Sequence, residues 1–290
     1  VNEKTTTSED LSEWSEVLTP HRGWLDFRFG ELWRYRDLVF RFFRRDFVAS
    51  YKQTILGPLW FVIPPVLTTL IFTIVFGRIG RVSTNGQPDF LFFMLGVTAW
   101  NYFATCLNKA ALTFTSNASV FGKVYFPRLV VPLSMILTNL LTFAIQFGVF
   151  LVFFGFYWLN GAPNVHPNWR VIILPFLLVQ MAALGLGIGC IVCALTTRFR
   201  DLAYMISFGT QLWMYASCVV YPLSQISKQL RWILILNPMV PIIEALRFSF
   251  LGGGLVEIWQ LAISATVTAI LLFVGLVMFT RAEKTFMDTV

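Results

Sequence analysis

Residues 130–159 read VVPLSMILTNLLTFAIQFGVFLVFFGFYWL, thirty positions without one acidic or basic side chain. A helix of that length rises about 45 Å at about 1.5 Å per residue, more than the roughly 30 Å of a bilayer's hydrocarbon core. The stretch reads as a membrane span with length left over to tilt or project. Five further apolar runs flank it, at 56–77, 90–112, 171–195, 202–221 and 258–279. Across all 290 residues, 57% are hydrophobic and 13% are charged, against about 25% charged in a soluble domain. Six spans joined by short loops predict an all-α integral membrane protein. Pro58, Pro64 and Pro65 fall early in the first run and predict a kink there.

The flanks carry the polarity. Residues 1–30 are a polar tail with a connector at 20–23, and no cleavable leader is expected. Residues 31–55 predict an amphipathic interface or gate helix. Leu32, Tyr35, Val39, Phe42 and Phe43 share one face, and Arg34, Asp37, Arg41, Arg44 and Arg45 the other. The transmembrane region 56–290 then includes an inner loop at 113–129 and an outer segment at 222–254. In the latter, Asn237, Pro238 and Pro241 interrupt two apolar pieces too short to span, and Gly252, Gly253 and Gly254 follow. A re-entrant helical hairpin fits, since irregular backbone at membrane depth must be covered by protein. The net charge is +7, with nine of the 22 basic residues ahead of Gly57. With the N-terminus inside, sixteen basic residues lie on the inner side and six on the outer, which predicts both termini cytoplasmic.

Catalytic chemistry has little to work with. There is no phosphate-binding G-x-x-x-x-G-K-[ST] loop and no G-x-S-x-G elbow. The two histidines, His21 and His166, lie in opposite flanks, so no metal or cofactor site is expected in the chain. Cys190 and Cys193 form a C-x-x-C inside an apolar run and, with Cys106 and Cys218, read as buried thiols. Gly185, Gly187 and Gly189 read as close helix packing. Nothing beyond charge suggests nucleic acid. Energy for any work must come from a partner.

Five local signatures stand at the membrane edges. They are Arg45-Asp46 with Tyr51 through Trp60; Lys123-Val124-Tyr125-Phe126-Pro127-Arg128; Phe199-Arg200-Asp201; Tyr221-Pro222 with Asn237-Pro238 and Arg247; and Arg281 through Asp288. From about residue 32 onward, their order and sides resemble the membrane subunit of type-two ABC exporters for polysaccharides, the O antigen, capsule and teichoic acid branch. One departure is Ser217-Cys218-Val219 where such proteins usually read Ser-Pro-Val. The resemblance implies a bacterial inner-membrane permease of two identical copies, working with two copies of a separate ATPase that binds ATP and magnesium. Its cargo would be a lipid-linked polysaccharide taken from the cytoplasmic side, and membrane lipid its surroundings.

On that resemblance, Lys123, Val124, Tyr125, Phe126, Pro127 and Arg128, with Arg200 and Asp201, are candidates for ATPase coupling. Arg41, Arg44, Arg45, Asp46 and Tyr51 belong to the gate helix. Trp60, Phe61, Trp100, Tyr102, Phe103, Trp213, Tyr215 and Tyr221 are pathway candidates, because aromatic rings stack on sugar faces. Asn237, Pro238, Glu244 and Arg247 mark the outer hairpin, where a Glu–Arg pair three apart is expected. Two other readings remain open at this point: an exporter of lipids or small hydrophobic compounds, and an intramembrane glycan-processing enzyme using Asp89, Glu244 or Glu257.

Overall fold

The structure is a computed structural model describing residues 29–52, 54–121, 123, 126–162, 165, 167–199, 201–254 and 256–289. Most of the 1–30 tail and Gly122, Val124, Tyr125 and Arg200 lie outside the described residues. Among the described residues the regular structure is helical: α1 Phe29–Arg34, α2 Arg36–Tyr51, α3 Ile63–Phe72, α4 Asp89–Ala111, α5 Thr113–Phe121, α6 Val130–Leu159, α7 Leu174–Thr196, α8 Leu202–Tyr215, α9 Lys228–Ile235, α10 Met239–Leu251 and α11 Ile258–Thr289.

Among the described residues five helical stretches are long and apolar enough to cross a membrane, Gly57–Ile79, Asp89–Ala111, Val130–Leu159, Trp169–Thr196 and Ile258–Glu283, and a sixth if the bent pair of α9 and α10 is one span. The first is built in three pieces, a 3₁₀ turn at Gly57–Phe61, then α3, then a π-helical turn at Thr73–Ile79. The helix type changes at Val62, where α3 begins. Pro64 and Pro65 sit in the first turn of α3, where a missing N–H has no intrahelical partner to lose.

α7 is the centre of the bundle, packed between α4 and α11. Its glycines explain how. A Cβ on Gly185 would stand 2.9 Å from Cys106 Cβ, and one on Gly189 would stand 2.5 Å from Ala110 Cβ, both on α4. On the other side, a Cβ on Gly187 would stand 2.7 Å from the backbone of Leu272, and one on Gly275 would strike the carbonyl of Gly187. Helix backbones thus meet directly on two faces of α7, the close approach expected where apolar solvent gives no hydrophobic drive. The four cysteines are buried free thiols, Cys190 and Cys193 facing the lower α4–α11 packing.

Three expectations need correction. The fifth run does not continue as helix to Tyr221: α8 stops at Tyr215, and fourteen residues rise only about 21 Å. Beyond it Ser217 Oγ donates to the Trp213 carbonyl and Cys218 takes a left-handed φ of +56°, so the chain leaves the helical path. The interface helix is broken at Tyr35, whose carbonyl accepts from both Leu38 and Val39 N–H. Its inward side is Tyr35, Leu38, Val39 and Phe42, with Arg36, Asp37, Arg41, Arg44 and Arg45 exposed. The last run extends to Thr289, ten residues beyond 279.

The predicted hairpin is present. Gln229–Ile235 and Met239–Leu251 bend by 96° about the Asn237–Pro238 break. The break is sealed inside the bundle: Gln180 Nε2 donates to Ser264 Oγ, which donates to the Pro238 carbonyl, at 2.7 Å each. At the other end of α10, Gln87 Nε2 donates to the Gly253 carbonyl at 2.9 Å, tying the hairpin to the start of α4.

The glycine seams predict opposite outcomes for two similar changes. Gly187→Leu is expected to abolish recovery of folded, monodisperse protein. Gly155→Ala, on a part of α6 with no atom within 4 Å of the new Cβ, is expected to be neutral or to add up to about 1 kcal/mol through helix propensity. Thermal melting of detergent-purified variants distinguishes them.

Candidate functional site

The two ends of the bundle are built differently. At one end, α2 lies along the first turns of α6, so the surplus length of the 130–159 helix serves as its bed. The inner loop begins with the expected short helix, α5, bent at Asn117, whose φ of −118° is not helical. Rings join these parts. Phe114 stacks on Phe279 of α11 at 4.7 Å, Phe121 lies 5.8 Å from Phe126, and Phe126 lies 5.7 Å from Phe42 of α2.

Arg128 closes this cluster. Its guanidinium lies over Phe114 and Phe121, Nη1 donates to the Glu283 carbonyl at 2.8 Å, and Nε is 3.8 Å from Glu283 Oε1. Phe126 and Arg128 are therefore buried struts of the loop, Pro127 is half-buried, and Lys123 is exposed. Asp201 caps α8, its Oδ1 accepting from Leu202 N–H at 3.1 Å. On α2, Arg45 clasps Asp46 with Nε and Nη2 both 2.8 Å from Oδ1, while Arg41 and Arg44 stand exposed. Tyr51 packs edge-on to Phe47, which stacks on Phe61.

At the far end, the Glu244–Arg247 pair exists and is fully buried, each side chain no more than 2% exposed, at 3.3 Å. Arg247 does more than pair. Nη1 donates to the Cys218 carbonyl and Nη2 to the Val219 carbonyl, each at 2.7 Å, and the guanidinium sits 3.6 Å from the centre of the Phe92 ring. Glu244 Oε1 accepts from Leu223 N–H at 3.3 Å. Two carbonyls of the non-helical segment that follows α8 are thus answered by a charged side chain from the hairpin. Asn237 works beside it, donating to the Ala216 carbonyl and to Ser217 Oγ and accepting from Met239 N–H.

The aromatic candidates separate into groups. Trp100, Phe103 and Trp213 form an edge-to-face cluster that joins α4 to α8. Tyr102 packs on Phe143 of α6. Trp100, Tyr102 and Phe103 are buried within the chain, so they brace helices instead of presenting rings to its surface. Trp60 and Tyr215 are exposed, and Tyr221 donates its hydroxyl to the Tyr215 carbonyl at 2.8 Å.

A polar surface lies where sequence reading placed none. Between the side of α4 that meets α8 and the side that meets α6, Asn101, Thr105, Asn108 and Lys109 form a partly exposed stripe on an otherwise buried helix. On α8, Tyr204, Ser207, Phe208, Gln211 and Tyr215 are exposed. Polar groups at this depth face water or one another. The i, i+4, i+7 spacing of Asn101, Thr105 and Asn108 inside an apolar run is the signal that could have revealed them. Asp89, Glu244 and Glu257, the acids an enzyme would need, are held by Thr84, Arg247 and Trp259 respectively.

A broken-span, all-helical bundle with an amphipathic helix at one end and a sealed hairpin at the other defines a membrane transport subunit. The chain belongs to the ABC-2 type transporter family, which matches over residues 37–251. It is 30% identical over 262 residues to the O-antigen export system permease protein RfbA of Myxococcus xanthus, covering 90% of this chain and 98% of that one. It is 28% identical to the RfbA permease of Klebsiella pneumoniae, with 87% and 94% covered. The polysialic acid transport protein KpsM of Escherichia coli is 25% identical, with 83% and 92% covered.

The buried pair gives a stability prediction. Arg247→Met removes the guanidinium that faces Glu244, leaves two carbonyls unanswered and is expected to cost about 3–5 kcal/mol. The double change Glu244→Gln with Arg247→Met is expected to melt higher than Arg247→Met alone, read by thermal unfolding in detergent.

Proposed function

We propose that this chain is the permease of an ATP-driven exporter that carries a lipid-linked polysaccharide from the cytoplasmic face across the bacterial inner membrane. The observation that carries this reading is near-full-length similarity to permeases named for O-antigen and polysialic acid transport. The polar stripe on α4 and the exposed polar positions of α8 agree with it, since a hydrated polymer needs a wet, weakly binding wall. They agree less well with export of small hydrophobic compounds.

In this reading two copies of the chain form the conduit, their α4 and α8 surfaces facing a shared space. Trp60, Tyr215 and the stripe residues are the wall, and the buried aromatics Trp100, Phe103 and Trp213 keep α4 and α8 in register. Both termini are cytoplasmic, which puts α2, α5 and the 113–129 loop on the inner side and the α9–α10 hairpin on the outer. ATP and magnesium belong to a separate ATPase, two copies of which dock below. Lys123, with the neighbouring Val124 and Tyr125, and Arg200 and Asp201 meet it. Arg128 and Phe126 transmit the push to α11 and α2 instead of touching the ATPase.

Depletion of the protein in cells is expected to strand lipid-linked glycan at the cytoplasmic face with loss of surface polymer. An unchanged surface polymer would exclude the glycan reading. Lys123→Glu is expected to reduce recovery of a co-expressed ATPase in pull-downs while leaving the melting temperature of the permease unchanged.

A further inference from the structure

The inner end of the α4 stripe finishes in a cation. Lys109 lies two residues before the last position of α4 and is exposed. Nζ donates to Asn139 Oδ1 of α6 at 2.8 Å. Asn139 is itself buried, and its amide points on to Cys106 Sγ at 3.5 Å, so the carbonyl oxygen is fixed toward the lysine. An ammonium has three protons to donate, and this one uses one of them on a neutral amide.

Its charge is not cancelled locally. Among the described residues no carboxylate lies within 4 Å of Nζ. Asp46 of α2 is the acid whose charge reaches it, and Asp46 is already clasped by Arg45 through Nε and Nη2. The exposed Arg41 and Arg44 on α2 add positive charge at the same end. A lysine inside a span is costly unless it faces water or finds an anion. Here a buried asparagine aims it, the polar stripe leads away from it, and the amphipathic α2 lies beside it.

From these we infer that Lys109, oriented by Asn139, binds a phosphate oxygen of the cargo's lipid carrier at the inner end of the pathway, beside α2. This deepens the reading given under Proposed function and rests on it. The sugar chain would then continue along Asn101 and Thr105, which offer uncharged hydrogen-bonding groups suited to a sliding polymer. Lys109 is a binding residue for the anionic headgroup, and Asn139 a positioning residue acting through it.

The test measures lipid binding to the purified permease by native mass spectrometry. The probes are a short polyprenyl diphosphate, the matching polyprenyl alcohol, and phosphatidylglycerol. Lys109→Gln is expected to weaken diphosphate binding roughly tenfold or more, the size of one charge-assisted hydrogen bond. Lys109→Arg should retain most of it, and binding of the alcohol should be unchanged in both. Asn139→Ala should give an intermediate loss for the diphosphate alone. Equal diphosphate binding by Lys109→Gln and the unaltered protein overturns the proposal. So does an equal loss for phosphatidylglycerol, which would make the lysine a contact for bulk lipid. Lys109→Met serves as the second charge-removing variant if the glutamine form melts early. Binding is read on the isolated protein and glycan export in cells. A fault in the headgroup assignment therefore shows separately from a fault in the export reading.

Discussion

Two helix backbones cannot approach across a side chain, and α7 solves this twice. Gly185 and Gly189 open one flank to α4, while Gly187 admits the backbone of α11 at Leu272 and Gly275. Everything else hangs from that three-helix slab. α4 carries the polar stripe and the Trp100–Phe103 platform for α8. α11 supplies Ser264 to the hairpin break at one end and Phe279 and Glu283 to the inner loop at the other. The slab fixes the height at which each of these groups stands relative to the others.

The hairpin illustrates how charge can replace backbone continuity in a membrane. When α8 stops at Tyr215, the segment that follows leaves the helical path, and its carbonyls need partners of another kind. Arg247 answers two of these groups at once, stacked against Phe92, and Glu244 balances the guanidinium while holding Leu223 N–H. Gly96 leaves the room: a Cβ there would come within 3.0 Å of Arg247 Nη2. The unusual left-handed backbone at Cys218 follows from the same grip, since its carbonyl must turn toward Nη1.

Much of this was legible in the sequence, for identifiable reasons. Charge-free runs as long as 130–159 have one good solvent, and Asn237-Pro238 cannot sit mid-helix, so spans and hairpin follow from composition and proline chemistry. The Glu244–Arg247 pair followed from spacing. The end of α8 did not, because residues 216–221 are as apolar as the helix before them and only a distant arginine diverts them. Burial of Trp100, Tyr102 and Phe103 was equally hidden, since a ring suited to sugars is also suited to helix packing. Arg128 was expected at the ATPase contact, and its place between the Glu283 carbonyl and two phenylalanine faces rests on long-range packing that loop sequence does not reveal. The polar stripe stands at helical spacing inside an apolar run and is readable from the sequence on that ground.

Phe126 touches both the α5 ring cluster and Phe42, and so couples the loop beneath the bundle to the helix lying along its side. Rings in van der Waals contact transmit displacement without slack. Arg128 ties the same loop to the end of α11. α2, the loop and the end of α11 are therefore joined through two side chains, Phe126 and Arg128. In the export cycle proposed above, such a linkage would give the opening that admits a new molecule and the stroke that drives the previous one a fixed phase.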